Sequence, residues 1–98
     1  MGLCEVSKSA FIALTKALAK EWGDFQIRVN IICPGLTNTS SSLVSWSDDY
    51  AIGEIMKKLP LKRMCESKEI AAMALFLASP ASSFTTGTEM HVDGGFNL

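Results

Sequence analysis

Residues 27–39 read Ile27-Arg28-Val29-Asn30-Ile31-Ile32-Cys33-Pro34-Gly35-Leu36-Thr37-Asn38-Thr39. A mostly apolar, β-branched run stops at Pro34-Gly35. Proline has no N–H for a ladder and glycine tolerates unusual backbone angles, so the run predicts a buried strand over 26–33 that ends there. The loop after it, 36–42, is rich in hydroxyls and carries one amide. In open α/β sheets the carboxyl ends of the strands border the ligand crevice. The stretch therefore predicts both an architecture and a place for chemistry.

Outward from it, the chain alternates. Residues 5–22 predict a helix: Phe11, Leu14, Leu18 and Trp22 recur at helical spacing, and Ala10, Ala13 and Ala17 form a second face of small residues. Gly23 is a fitting stop. The small face either packs on the helix's own sheet or receives another helix. Residues 51–59 predict a short helix through Ile52, Ile55, Met56 and Leu59, closed by Pro60. Residues 67–78 predict a third helix, apolar almost all round, with Ser67 as its cap and an incomplete capping box because Ile70 stands third after it. Ser79-Pro80 stops it, 89–92 is a short strand, and Asp93-Gly94-Gly95 a turn. Helix, strand, helix, strand implies a right-handed crossover between parallel strands.

Ninety-eight residues make one domain at most. With 48% hydrophobic and 19% charged residues, the composition is that of a soluble globular protein. A net charge of −1 excludes nucleic acid or an acidic membrane as the main partner. Cys4, Cys33 and Cys65 are odd in number and widely spaced. They indicate neither a disulfide framework nor zinc, and fit the cytoplasm or another reducing compartment. No signal peptide is legible at the start, Val6 breaks a myristoylation pattern, and no apolar run reaches membrane-spanning length. Lys57, Lys58, Lys62 and Arg63 read as a solvated basic face.

Arg28-Val29-Asn30, Pro34-Gly35 and Thr39 resemble the corresponding strand and loop of the short-chain dehydrogenases/reductases. The resemblance extends to the Ser7-Lys8 helix, to Glu69-Ile70-Ala71 through Leu77-Ala78-Ser79, to Thr86-Gly87, and to His91-Val92-Asp93-Gly94-Gly95. It covers nearly the whole chain and only the C-terminal part of that family's domain. It implies the C-terminal portion of a doubly wound, Rossmann-type parallel sheet, without the N-terminal nucleotide-binding half. Within a single partial domain over 1–98, residues 1–23 are then the catalytic-lysine helix and 26–39 the strand and nicotinamide loop. Residues 40–60 are the variable substrate loop, 66–79 the following helix, and 88–95 the last strand and turn.

The family resemblance also implies chemistry: hydride transfer between NAD or NADP and a small-molecule alcohol or carbonyl. A Tyr four residues before a Lys shares its helix face, and the ammonium draws the phenol pKa down so that it donates the proton. Lys8 matches that Lys, which also holds the nicotinamide ribose; the Tyr position is then Cys4. A thiol is several ångström shorter than a phenol, and proton transfer needs hydrogen-bond reach, so Cys4 is expected not to act. Tyr50, with Glu54 four residues on, is a poor replacement. Pro34, Gly35, Thr37 and Thr39 match the segment that bounds the nicotinamide and holds its carboxamide, although the family usually has an aliphatic residue at position 37. Lys62, Cys65 and Ser67 replace frequent Gly, Gly and Pro without touching chemistry. His91 reads as a strand-face or interface residue, and Asp93 as a turn-former.

The family's glycine-rich loop, Asn-Ala-Gly strand and catalytic Ser would lie upstream of residue 4, and no Gly-x-Gly-x-x-Gly run occurs here. Two readings follow: an NAD(P)-dependent oxidoreductase represented by part of its domain, or a catalytically inactive truncated relative acting as an oligomerisation module. Both predict a homo-oligomer through the 5–22 helix and the C-terminal region. A strand at 26–33 without a second neighbour is an apolar edge, so the isolated chain is expected to be marginally stable or self-associating.

Overall fold

A computed structural model describes residues 2–38, 49–96 and 98. Helix α1 (Gly2–Trp22) runs through a one-turn 3₁₀ extension (Gly23–Phe25) toward strand β1 (Ile31–Pro34). Then come β2 (Thr37–Asn38), α2 (Asp49–Lys58), β3 (Cys65–Glu66), α3 (Ser67–Ala78), a 3₁₀ turn (Pro80–Ser82) and β4 (Glu89–Val92). β1 and β4 pair in parallel, Ile31 opposite Glu89 and Pro34 opposite Val92. α3 packs on both of them and α1 on β1. The architecture is α/β with parallel strands, a partial Rossmann-type fold.

β1 is shorter than the apolar run that announced it. Residues 27–30 precede the ladder because their polar groups bind a loop instead. Val29 N–H donates to Thr86 Oγ1 at 3.1 Å and its carbonyl accepts from Gly87 N–H at 2.7 Å. Asn30 Nδ2 donates to the Thr85 carbonyl at 3.0 Å, and Asn30 Oδ1 accepts from Thr88 N–H at 3.1 Å. Arg28 donates to Ser82 Oγ at 2.9 Å and to the Leu77 carbonyl at 3.0 Å, so its guanidinium caps the end of α3. Ser82 is fully buried. Arg28-Val29-Asn30 is thus a clasp that fixes the entry into β4.

Pro34 remains in β1 without breaking its ladder. Ile31 N–H donates to the Thr88 carbonyl and Gly35 N–H to the Val92 carbonyl, both at 3.0 Å. Backbone groups alternate in direction along a strand, so those of Pro34 face away from β4, where a missing N–H costs this pairing nothing. That other edge of β1 has no strand partner among the described residues.

Three local expectations shift. The N-cap of α3 is Glu66 rather than Ser67: Glu69, third after Glu66, accepts the Glu66 N–H at 3.0 Å. The left-handed residue after α1 is Gln26 (φ 60°), not Gly23. The face that α1 buries is Thr15 and Ala19, with Ile12 and Leu18 half-buried, whereas Phe11, Leu14 and Trp22 are exposed. A threonine can be buried here because its hydroxyl donates to the Phe11 carbonyl at 2.7 Å. Among the described residues the buried apolar side chains are Ala19, Cys33, Ile52 and Leu59, a small core.

Candidate functional site

The stretch after β1 is held by three contacts. A Cβ on Gly35 would lie 2.8 Å from Asp93 Cα and 2.9 Å from Asp93 Cβ. Only glycine lets the loop pass the final turn at that distance. Thr37 Oγ1 donates to the Gly35 carbonyl at 2.9 Å, and β2 then pairs in parallel with β3, Thr37 opposite Cys65. The hydroxyl that the family's usual aliphatic residue lacks is therefore used to fasten the loop.

Lys8 approaches from α1, one turn after Cys4 in the same helix. It lines a cavity of about 240 Å³ together with Phe11, Ile31, Ile32, Cys33 and Pro34. The fold thus brings Lys8 and Pro34, 26 positions apart, to one concavity with apolar walls. Gly35 and Thr37 follow Pro34 in sequence and are engaged with Asp93 and Cys65 respectively. Thr39 lies outside the described residues, as do the other positions of 40–48 and the side chain of Cys4. The recess has apolar walls with one ammonium-bearing side chain among its lining residues. Tyr50 is exposed and lines no part of that cavity.

A larger cavity, about 450 Å³, lies around the final turn and is bounded by Leu36, Leu61, Arg63, Cys65, His91 and Asp93, among others. Its charged groups are mutually engaged. Arg63 donates to both Glu69 oxygens at 2.7 and 2.9 Å, and this fork, reinforced by the Glu66 N–H, holds the Glu69 carboxyl down at about 2. The Arg63 guanidinium is raised in turn. Burial, and then the Glu69 charge, push the Cys65 thiol up, which leaves it protonated and unreactive at neutral pH.

The expected basic face divides into local partnerships. Lys57 pairs with Glu54 at 3.1 Å, Lys62 donates to the Leu59 carbonyl at 3.0 Å, and Lys58 is exposed. Among the described residues no cluster could hold a metal ion, and no helix is long and apolar enough to cross a membrane. His91 does have partners: Glu89 Oε2 stands 3.5 Å from Nε2 and Asp93 Oδ2 stands 3.6 Å from Nδ1. The signal for this was the period of two that puts 89, 91 and 93 on one side of a strand.

Comparison with known proteins agrees with this fold. Residues 1–97 match the family described as Enoyl-(Acyl carrier protein) reductase. The oxidoreductase UcpA of Salmonella typhimurium is 40% identical over 95% of this chain and 38% of its own length. A 3-oxoacyl-[acyl-carrier protein] reductase from Brucella melitensis superposes with a TM-score of 0.88 at 39% identity, covering 95% of this chain and 34% of that one. A 4-hydroxyisoleucine dehydrogenase complexed with NADH superposes at 0.87 with 33% identity, over 94% and 38%. The chain therefore spans about a third of the length of the proteins it matches. By match, identity and superposition alike, it belongs to the short-chain dehydrogenase/reductase family of oxidoreductases.

Proposed function

We propose that the chain forms the nicotinamide side of an NAD(P)-dependent oxidoreductase site acting on an alcohol or carbonyl. The observation that carries this is the shared cavity of Lys8 and Pro34. A bound nicotinamide cofactor would supply or accept hydride. Lys8 would hold the ribose hydroxyls, and Pro34, Gly35, Thr37 and Thr39 would bound the ring and its carboxamide. Cys4, at the position of the family's Tyr, has too short a side chain to protonate a substrate placed for a phenol. Residues 40–59 would form the substrate side.

Two measurements test the reading. In a fluorescence titration, NADH should bind the chain weakly, and Lys8→Ala should weaken it at least several-fold further; equal affinity for both chains would contradict the Lys8 assignment. Steady-state assays of the 98-residue chain with NADH, NADPH and a carbonyl panel should give no turnover, and Cys4→Tyr alone should not change that.

A second reading, an inactive relative serving as an association module, draws on the exposed apolar side chains of α1. Phe11 and Leu14 are 61% and 52% exposed there. Such a pair supports self-association through α1. Free Cys33 and Cys65 suit a reducing compartment.

A further inference from the structure

Glu89, His91 and Asp93 form a row beside the last turn, the imidazole between two carboxylates at 3.5 and 3.6 Å. The row is anchored in α1, because Lys16 Nζ stands 3.3 Å from Glu89 Oε1. From the other side, Arg63, Cys65 and Glu69 share a cavity wall with His91 and Asp93. Arg63 and Glu69 neutralise each other there, and the thiol carries no charge at neutral pH. With Lys16 offsetting Glu89, the net negative charge that the imidazole faces is chiefly that of Asp93.

Asp93 is engaged three ways. Its Oδ1 accepts the Gly95 N–H at 3.0 Å, its Oδ2 faces His91, and its Cα is the atom against which Gly35 is seated. Gly95 is itself confined, with φ at 88° and Pro60 Cγ only 2.8 Å from where a Cβ would be. The turn is held further by Phe96 N–H to the Asp93 carbonyl at 3.2 Å and Leu61 N–H to the Gly94 carbonyl at 3.1 Å.

We propose that Asp93 is a positioning residue for the Pro34-Gly35 loop, and that a proton gained by His91 is felt at Gly35 through it. This rests on the reading of that loop as the nicotinamide wall. A charged imidazole donates from both nitrogens. The gaps of 3.5 and 3.6 Å would then shorten toward the roughly 2.7–2.9 Å of charge-assisted hydrogen bonds. Asp93 follows, and Gly35, whose backbone passes Asp93 too closely to admit a Cβ, moves with it. The outcome is a nicotinamide wall whose position depends on whether the His91 imidazole is charged.

The test is a pH titration of the isotopically labelled chain by NMR. The Gly35 amide resonance should follow one transition with the midpoint of the His91 Cε1–H signal. In His91→Gln that transition should vanish, and in Asp93→Asn, where the turn acceptor is kept, it should shrink several-fold while His91 still titrates. A Gly35 amide that stays still while His91 titrates, or that still titrates in His91→Gln, overturns the proposal. If association broadens the spectra, hydrogen exchange of the 31–38 segment, corrected for intrinsic rates, decides the same question: protection should vary with pH only when His91 is present. Binding of nicotinamide mononucleotide is measured alongside. Binding with a pH-insensitive Gly35 sinks the coupling alone, and coupling without binding sinks the nicotinamide reading alone.

Discussion

Gly35 and Asp93 touch so closely that no side chain fits between them: the first carbon of one would stand 2.8 Å from the Asp93 Cα. The contact joins the end of β1 to the turn after β4, and so sets where the Pro34-Gly35 loop lies relative to Lys8.

Two glycine-to-alanine substitutions should therefore have opposite signs. Gly35→Ala forces backbone apart and should destabilise the chain by about 1–3 kcal/mol. Gly53→Ala, inside α2 with nothing within 4 Å of the new methyl, should stabilise it by about 0.5–1 kcal/mol. Urea unfolding of both variants checks the pair; a neutral Gly35→Ala would mean that the close approach is not rigid.

Arg28 should resist conservative replacement. Its guanidinium spans the buried Ser82 hydroxyl and the Leu77 carbonyl, a geometry that a single ammonium does not reproduce. Arg28→Ala should cost about 1–3 kcal/mol through the lost charge-assisted hydrogen bonds, with Ser82 Oγ still donating to the Leu77 carbonyl. Arg28→Lys should recover less than half of that in the same unfolding assay.

Glu69 should give stability an acid dependence. Its folded-state pKa, about 2, is below its ordinary value of 4.5. The stabilisation it confers is then fully present above roughly pH 4.5 and is lost as pH falls toward 2. Because the pair is solvent-screened the effect is modest. Urea midpoints between about pH 7 and 2.5 should slope less in Glu69→Gln than in the parent; identical slopes would remove Glu69 as the cause.

Self-association should depend on the exposed apolar side chains of α1. Leu14→Glu, at a half-exposed apolar position, should lower the sedimentation-average mass at micromolar concentration without loss of helical circular dichroism. An unchanged mass would place the contact elsewhere.

The elements themselves were legible where periodicity is strong. The 67–78 helix and the 89–92 strand emerge with the expected bounds, and α1 extends only a few residues before residue 5. What escaped was set by partners remote in sequence. Residues 27–30 look like strand, but they bond instead to groups in 82–88, more than fifty positions away. Thr15 looks solvent-facing until its hydroxyl finds the Phe11 carbonyl. The α3 cap moved by one residue because Glu69 works back to Glu66, a motif visible only when counting starts outside Ser67. At the site, Lys8 and Pro34 were expected to converge and do share a cavity. The fit of Asp93 against Gly35 had no signature beyond two separate turn motifs.

The proposed oxidoreductase function depends on Lys8 and the Pro34-Gly35 loop forming one nicotinamide-binding wall. Chemical-shift mapping of nicotinamide mononucleotide on the isotopically labelled chain tests that wall residue by residue. At millimolar ligand, the largest amide shifts should fall on Lys8, Cys33, Gly35 and Thr37 and be suppressed by Lys8→Ala. Shifts confined to the cavity around Leu61 and Asp93, or to the groove between Arg28 and Ala74, or no shifts at all, would refute it.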